Sequence, residues 1–519
     1  MPYNIFKTGA VTAQQLAYLT RSATDGGTNS EQIIEADVTG ELGRYGLTSP
    51  WAREGVALNA GAEFRAQTLQ YAPSAAEASH ELAGIGPAPA IDKQVSVDEG
   101  FLEIRIPVAQ HRPLLNDLTV GGGYRYSHYS TAGAANTYKV DLQFAPVADM
   151  RIRTSFDRVV RAPNLIELYT PLIYAPGATG VFGDPCAPSE QPSGPPRATA
   201  TLAQCVHTGV TPAQYGNGIA PAFGGTNTIR PCTFGFCGGV FGGNPGLAPE
   251  TADTWSLGVT FTPTALPTLT GSVDYFHIVL NGKIGTIPGE VTLNQCLASG
   301  DPTSCRQIVR TPTGALFGDT VSGGGYVASR NVNTGAAVVS GIDVQANYRL
   351  LLRGRWGALT ASLNGNWLQH NSTTPYLGAP SYDCAGLFGS ICLSGSVNPT
   401  WRHNLRVTWE MPWNLQLSAQ WRFIGRTGFD NNSPQSSLQN QEEGFFDPVL
   451  THVPNYSYLD LAAHWGVTGH VQLRAGVNNL FDKDPPLLPA RDIGAYPLNT
   501  FSTYDIVGRE VYVALRATW

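Results

Sequence analysis

The feature that most constrains this chain is an alternation of apolar and polar residues that recurs from end to end. In residues 413–423, the odd-numbered positions from Trp413 to Phe423 form a wholly apolar face, and the even-numbered positions from Asn414 to Arg422 form a polar one. A period of two is typical of a β-strand whose faces meet different environments. About fifteen segments share it: 31–45, 55–69, 97–108, 118–126, 137–144, 150–160, 251–261, 269–284, 336–350, 358–368, 401–409, 413–423, 456–465, 471–480 and 509–519.

The connectors between these segments show a second regularity. Short turns such as "PVADM", "TPTALP", "EMPWN" and "GVTGH" alternate with long connectors. Outer-membrane barrels have short turns at one rim and long loops at the other, and they need strands of about 9 to 11 residues. Sandwiches and propellers have no reason for short and long connectors to alternate along the chain. A soluble barrel would place its apolar face inside, and period alone cannot exclude it. Loop parity and aromatic placement favour an all-β, antiparallel transmembrane β-barrel, as one domain over residues 1–519.

Composition and cysteine spacing limit the possible classes of protein and the cellular compartment further. The chain has 58 glycines, only 14% charged residues and a net charge of -7, so a nucleic-acid partner is not expected. Its 8 cysteines lie in Gly/Pro-rich connectors, where local disulfides would indicate an oxidising compartment. Unpaired or zinc-binding thiols are the alternative, but no C-x-x-C pair is present. The candidate disulfides join sequence neighbours: Cys186 with Cys205, Cys232 with Cys237, Cys296 with Cys305, and Cys384 with Cys392.

Residues 161–249 form the longest connector. The strand pattern ends at Arg161-Ala162-Pro163-Asn164, because Pro163 has no N–H to donate to a ladder. The following stretch, rich in Gly, Pro and Cys, is predicted to be a long extracellular loop. Arg161 either caps this loop or contacts a ligand.

Six segments, in order, resemble the TonB-dependent outer-membrane receptor family. They are "RTSFDRVVRAPNLIELY", "NPGLAPETADTWSLGV", "VDYFHIVLNGKI", "SGIDVQANY", "AGVNNLFDKDPP" and "GREVYVALRATW". The terminal aromatic resembles the signal by which the barrel assembly machinery recognises its substrates. The family motif residues are Arg161, Ala162, Pro163, Asn164, Asn244, Pro245, Glu250, Asn479, Leu480, Phe481 and Trp519.

The resemblance implies a 22-stranded barrel with an N-terminal plug. If Trp519 ends strand 22, counting back makes residues 31–45 strand 8. The expectation is therefore the C-terminal fifteen or so strands as an open barrel, without the plug, coupling box or signal peptide. Antiparallel closure also needs an even number of strands.

The implied function is TonB-dependent uptake of a scarce ligand across the Gram-negative outer membrane. The ligand would be a siderophore, metal chelate, cobalamin or oligosaccharide, and the implied partners are membrane lipid and, through the plug, the TonB–ExbB–ExbD complex. A passive porin and a barrel-embedded hydrolase are the alternatives. No G-x-S-x-G elbow, phosphate loop or H-E-x-x-H helix occurs, so no enzyme activity, cofactor or metal site is predicted.

Four arginines are predicted to face the barrel lumen. They would be either mutually compensated wall charges or a path for an anionic ligand. They are Arg151, Arg153, Arg422 and Arg474.

Overall fold

The chain forms one large antiparallel sheet in a computed structural model that describes residues 11–20, 22–79, 89–177, 179–189, 194–318, 321–354, 356–389, 391–392, 397–438, 451–488 and 500–519. Residues 1–10, which the predicted domain includes, lie outside the described residues. The sheet has fifteen long strands: β1 (Gly26–Glu41), β2 (Ala57–Ala72), β3 (Ile91–Arg112), β4 (Leu115–Tyr129), β5 (Gly133–Val147), β6 (Met150–Arg161), β7 (Glu250–Phe261), β8 (Leu269–Thr286), β9 (Tyr326–Leu351), β10 (Ala358–Thr374), β11 (Trp401–Met411), β12 (Leu415–Ile424), β13 (Tyr456–Gly466), β14 (Val471–Asn478) and β15 (Glu510–Ala517).

Each long strand pairs antiparallel with its sequence neighbours, including β6 with β7 across the longest loop. Among the described residues, β1 pairs only with β2, and β15 only with β14. Every predicted segment overlaps one of these strands, so the all-β antiparallel prediction is confirmed.

Several predicted strand ends are wrong. Residues 42–45 form a 3₁₀ turn after β1, and Trp413 and Asn414 have φ of 70° and 54°, which a paired strand does not tolerate. β14 ends at Asn478 rather than at residue 480, and β15 ends at Ala517 because its partner begins at Val471. Trp519 therefore lies beyond the ladder and is fully exposed.

The connectors sort onto two rims. One rim carries the long loops 73–90, 162–249, 287–325, 375–400, 425–455 and 479–509, and is called the loop rim. The other, the turn rim, carries 113–114, 148–149, 262–268, 352–357, 412–414 and 467–470. Two connectors break the predicted parity. The loop-rim connector 130–132 is short, and the turn-rim connector 42–56 is longer because it folds back on β3, where Ser49 Oγ donates to the Val108 carbonyl (2.6 Å).

The sheet has two unlike faces, as predicted. Trp421 is paired with Leu405 and Leu459 on the apolar face, where its side chain is 41% exposed. Gln420 is paired with Arg406 and Asp460 on the polar face. The apolar face carries aromatic residues toward both rims, among them Phe156, Trp255, Trp367, Trp401, Trp421, Phe423, Trp409 and Trp465.

The buried core lies in the outer loops, not between packed sheets. The helices are short: α1 (Ala13–Leu19), α2 (Ala75–Ala78), α3 (Leu165–Tyr169), α4 (Leu202–His207), α5 (Pro212–Tyr215), α6 (Gly289–Ser299) and α7 (Pro302–Cys305). Within the described ranges, none is long and apolar enough to cross a bilayer. Further 3₁₀ turns are Pro221–Phe223, Thr233–Gly235 and Asp430–Asn432, and the short strands are Ile173–Pro176, Gly238–Gly242, Ile308–Val309, Tyr382–Asp383, Leu387–Phe388, Thr427–Phe429 and His452–Val453.

Candidate functional site: the outer loops and the polar face

Arg161 ties together the two ends of the longest loop. Its Nε donates to Glu250 Oε2 (2.7 Å), and its two Nη atoms donate to the Glu167 carboxylate at 2.9 and 3.0 Å. Asn164 caps α3, because its Oδ1 accepts from the Glu167 N–H while Glu167 Oε2 accepts from the Asn164 N–H, each at 2.8 Å. The motif Arg161-Ala162-Pro163-Asn164 is thus a structural clamp at the loop rim, which favours the capping role over a ligand contact.

The return end of this loop is held by asparagines. Asn244 Nδ2 donates to the Asn331 carbonyl (2.9 Å), and its Oδ1 accepts from the Gly246 N–H across Pro245 (2.9 Å). Asn333 Nδ2 donates to the Ala248 carbonyl (2.8 Å). Asn331 Nδ2 in turn donates to the Glu167 carbonyl at the first end of the loop (3.2 Å), so both ends are bound to β9 as well as to each other.

Arg161→Gln is expected to loosen the loop without unfolding the sheet. The Glu250 side chain is only 7% exposed, so removing its partner leaves a nearly buried carboxylate, at a cost of about 1–3 kcal/mol. Limited proteolysis should cleave residues 162–249 faster in the variant. Arg230→Gln, at an exposed position in the same loop, is the control. Equal cleavage of the two variants would contradict the clamp.

The late motif "NNLFDK" ends β14 and turns the chain. Asn479, with φ of 51° and 1% exposure, donates from Nδ2 to the Lys483 carbonyl and accepts from its N–H, both at 2.9 Å. The Leu480 N–H donates to the Leu459 carbonyl, whereas Phe481 is exposed. The N–H and guanidinium of Arg509 hold the pKa of the Asp482 carboxyl below its usual range. These motif residues shape a turn and present no convergent set of ligand groups.

The loops 162–249 and 287–325 fold together into one unit, here called the outer module. Three disulfides, Cys186–Cys205, Cys232–Cys237 and Cys296–Cys305, lie in its single apolar core. The fourth, Cys384–Cys392, lies in a separate cluster with Leu438. These are the four sequence-neighbour pairs that the sequence predicts. The other buried members of the module's core are Val181, Ala187, Ala200, Val210, Ile229, Leu293, Leu297, Ile308, Leu316 and Val327.

A buried ion pair joins the two loops of the outer module. Arg310 Nη1 and Nη2 donate to Asp184 Oδ2 (2.7 Å) and Oδ1 (3.0 Å), and the two side chains are 4% and 0% exposed. Arg310 also donates to Thr208 Oγ1 (2.9 Å) and to the Gly314 carbonyl (2.7 Å). Sequence reasoning missed this pair, because its members are 126 positions apart and no local pattern marks them.

Near β12 and β13, part of the last outer loop folds onto the polar face of the sheet. Asp505 accepts two hydrogen bonds from Arg422 (2.8 and 2.6 Å), which also binds Asp460. Phe501 and Tyr504, 1% and 2% exposed, belong to a buried cluster that includes residues of two other outer loops and of β12 and β13. Residues 500–508, here called the strap, are therefore fixed over β12 and β13.

Several charged side chains of the polar face lie in ion pairs. Arg151 pairs with Asp117 (3.1 Å) and Arg153 with Asp274 (2.7 Å). The predicted positions of Arg151, Arg153 and Arg422 on this face are supported by register, and the compensated-charge interpretation fits all three. Arg474, the fourth predicted arginine, also lies on this face by register, but it has no acidic partner among the described residues, so the compensated-charge interpretation does not fit it. Further arginines of this face without such a partner are Arg402, Arg406 and Arg516.

No group of three or more His, Cys, Asp or Glu side chains in the described ranges is placed to hold a metal ion. The geometry is that of a polar-walled sheet whose loop rim carries outer loops packed around buried clusters. Its cavities lie on that wall and at the loop rim, where one of about 260 Å³ is lined by Arg65 and by the Arg161-Ala162-Pro163-Asn164 motif.

Comparison with known proteins identifies this architecture. A family model described as TonB dependent receptor-like, beta-barrel matches residues 3–480. No curated protein sequence matches the chain. The ferric enterobactin receptor of Pseudomonas aeruginosa is similar in structure, with a TM-score of 0.58 and 17% identity over 95% of this chain and 54% of that one.

The siderophore receptor of Acinetobacter baumannii has a TM-score of 0.54 and 13% identity over 95% of this chain and 55% of that one. The chain thus spans about half the length of these receptors, and at such identity the likeness shows a shared fold. Because the family model covers β1 to β14 of the sheet, the chain belongs to the TonB-dependent receptor-like β-barrel family.

Proposed function

We propose that this protein serves in the outer membrane as a receptor for TonB-dependent uptake of a scarce small ligand. The match to the family model over residues 3–480 carries the proposal. The exposed apolar face supports a membrane location, because leaving apolar surface in water costs roughly 25 cal/mol per Å². The packing of the outer loops around buried clusters at the loop rim favours a receptor over a passive porin, whose channel is open to water.

In this proposal the sheet and outer loops bind the ligand, and the TonB–ExbB–ExbD complex supplies energy for its passage. One similar structure is named a ferric enterobactin receptor and the other a siderophore receptor, which makes an iron chelate one candidate ligand. An oligosaccharide, which the family resemblance of the sequence also implies, is another. No catalytic role is proposed.

Energised uptake tests the function. Cells carrying the protein are incubated with ⁵⁵Fe-labelled ferric citrate or ¹⁴C-labelled trigalacturonate, with and without a protonophore. A receptor should accumulate one probe, and the protonophore or loss of TonB should abolish that accumulation. Uptake that persists without TonB, together with ion conductance in planar bilayers, would instead identify a porin.

A further inference from the structure

A cavity of about 450 Å³ opens on the polar face beside the strap. Its wall is built from one row of paired residues across four strands, in which Gln345 of β9 faces Asn364 of β10, Asn364 faces Asn404 of β11, and Asn404 faces Arg422 of β12. Residues paired in this way have Cβ atoms about 4.5–5.5 Å apart. Three amides therefore lie side by side.

A second row lies next to the first. Asp343 of β9 faces Asn366, which faces Arg402 of β11. Asn366 Nδ2 donates to Asp343 Oδ1 (2.8 Å), so this carboxylate already has a donor. Thr503 of the strap also lines the cavity.

The three amides of the first row, together with Arg402 of the second, retain their hydrogen-bonding capacity. Gln345, Asn364, Asn404 and Arg402 are exposed, and within the described part of the chain none of them makes a side-chain hydrogen bond or ion pair. Each amide offers donors and an acceptor, and the guanidinium offers a planar fork of donors. These four residues are called the amide cradle.

We propose that the amide cradle binds an oxygen-rich anion, such as a hydroxycarboxylate chelate or an acidic sugar. The inference rests on the proposed function and specifies its ligand class. Amides recognise hydroxyl and carbonyl oxygens, and an arginine without a partner forms charge-assisted bonds with a carboxylate. The positive charge of Arg402 would repel a cationic ligand, and a neutral ligand would leave that charge without a counter-charge. The volume lies within the range of about 300–1,000 Å³ that is usual for small-molecule sites.

Arg422 acts as a positioning residue for this site. Its bonds to Asp505 hold the strap, and hence Thr503, at the edge of the cavity. The buried side chains of Phe501 and Tyr504 fix the same segment. The strap that borders the cradle is thus held in place before a ligand binds, and binding need not pay the entropic cost of ordering it.

Equilibrium binding to outer-membrane vesicles that carry the protein tests the proposal. The probes are ferric citrate and trigalacturonate, which represent the two sources of the anion, and neutral maltotriose. At least one anion should bind saturably and more tightly than maltotriose. Arg402→Gln should weaken its binding at least tenfold, and Asn404→Ala several-fold. Arg516→Gln, at an exposed polar-face arginine outside the cavity, should leave it unchanged.

The folded state of each variant is checked by heat-modifiable migration, and Arg402 is exposed, so its loss removes no buried contact. Failure of both anions to bind, tighter binding of maltotriose, or equal weakening by Arg402→Gln and Arg516→Gln would overturn the proposal. Binding to vesicles needs no energy source. Intact binding without energised uptake would therefore reject TonB-dependent transport and leave the cradle standing.

Discussion

Replacing Arg310 with Leu is expected to destabilise the outer module by about 3–5 kcal/mol, because it leaves the Asp184 carboxylate buried without its charge partner. The apolar core and three disulfides should keep the two loops folded in part. Hydrogen–deuterium exchange should therefore speed up most in residues 179–189 and 308–316, where the two loops meet, and not in the long strands.

Two variants control this result. Arg306→Leu removes an exposed arginine of the same loop and should cost less than about 0.5 kcal/mol, because among the described residues its side chain donates only to the Pro302 carbonyl. Removing both charges with Arg310→Leu and Asp184→Leu should recover much of the loss, since no unpaired buried charge remains. Similar exchange in the Arg310 and Arg306 variants would show that the buried pair does not hold the loops together.

Arginine introduced on the apolar face should be far more disruptive than on the polar face. Ala419 and Ser418 are adjacent in β12, similar in size and half-buried, but Ala419 is paired with Val407 and Leu461, whereas Ser418 is paired with Thr408 and Ala462. If the apolar face meets lipid, Ala419→Arg should cost about 2–4 kcal/mol near the bilayer midplane. Ser418→Arg should cost little, because its charge stays in water.

Urea-dependent folding into lipid vesicles, followed by heat-modifiable migration, measures both variants. The expected result is a lower urea midpoint for Ala419→Arg alone. A larger loss for Ser418→Arg would mean that the polar face is the packed one, and the membrane assignment would fail. Equal losses would indicate that neither face contacts lipid.

The amino-acid sequence by itself determined the fifteen strands and the faces they present. Alternation is local information, since neighbouring side chains on a strand point to opposite faces whatever the partner. Strand ends were predicted less well, because a strand can pair only as far as its neighbouring strand extends. β15 ends at Ala517, which is paired with Val471, the first residue of β14, and Trp519 lies beyond the ladder. The alternation in "WRHNLRV" indicates that Arg402 and Asn404 share the polar face, but not which residues lie beside them.

Only the tertiary structure decided how distant residues meet. The pairing of Asp184 with Arg310 unites two loops that the sequence presents as separate, and the disulfide Cys296–Cys305 shares a core with two others. The amide cradle arises because the registers of β9 to β12 align Gln345, Asn364 and Asn404 in one row. Such register is selected by summed pairing along whole strands, since a shift of one residue would turn every side chain to the opposite face. No single segment contains that information.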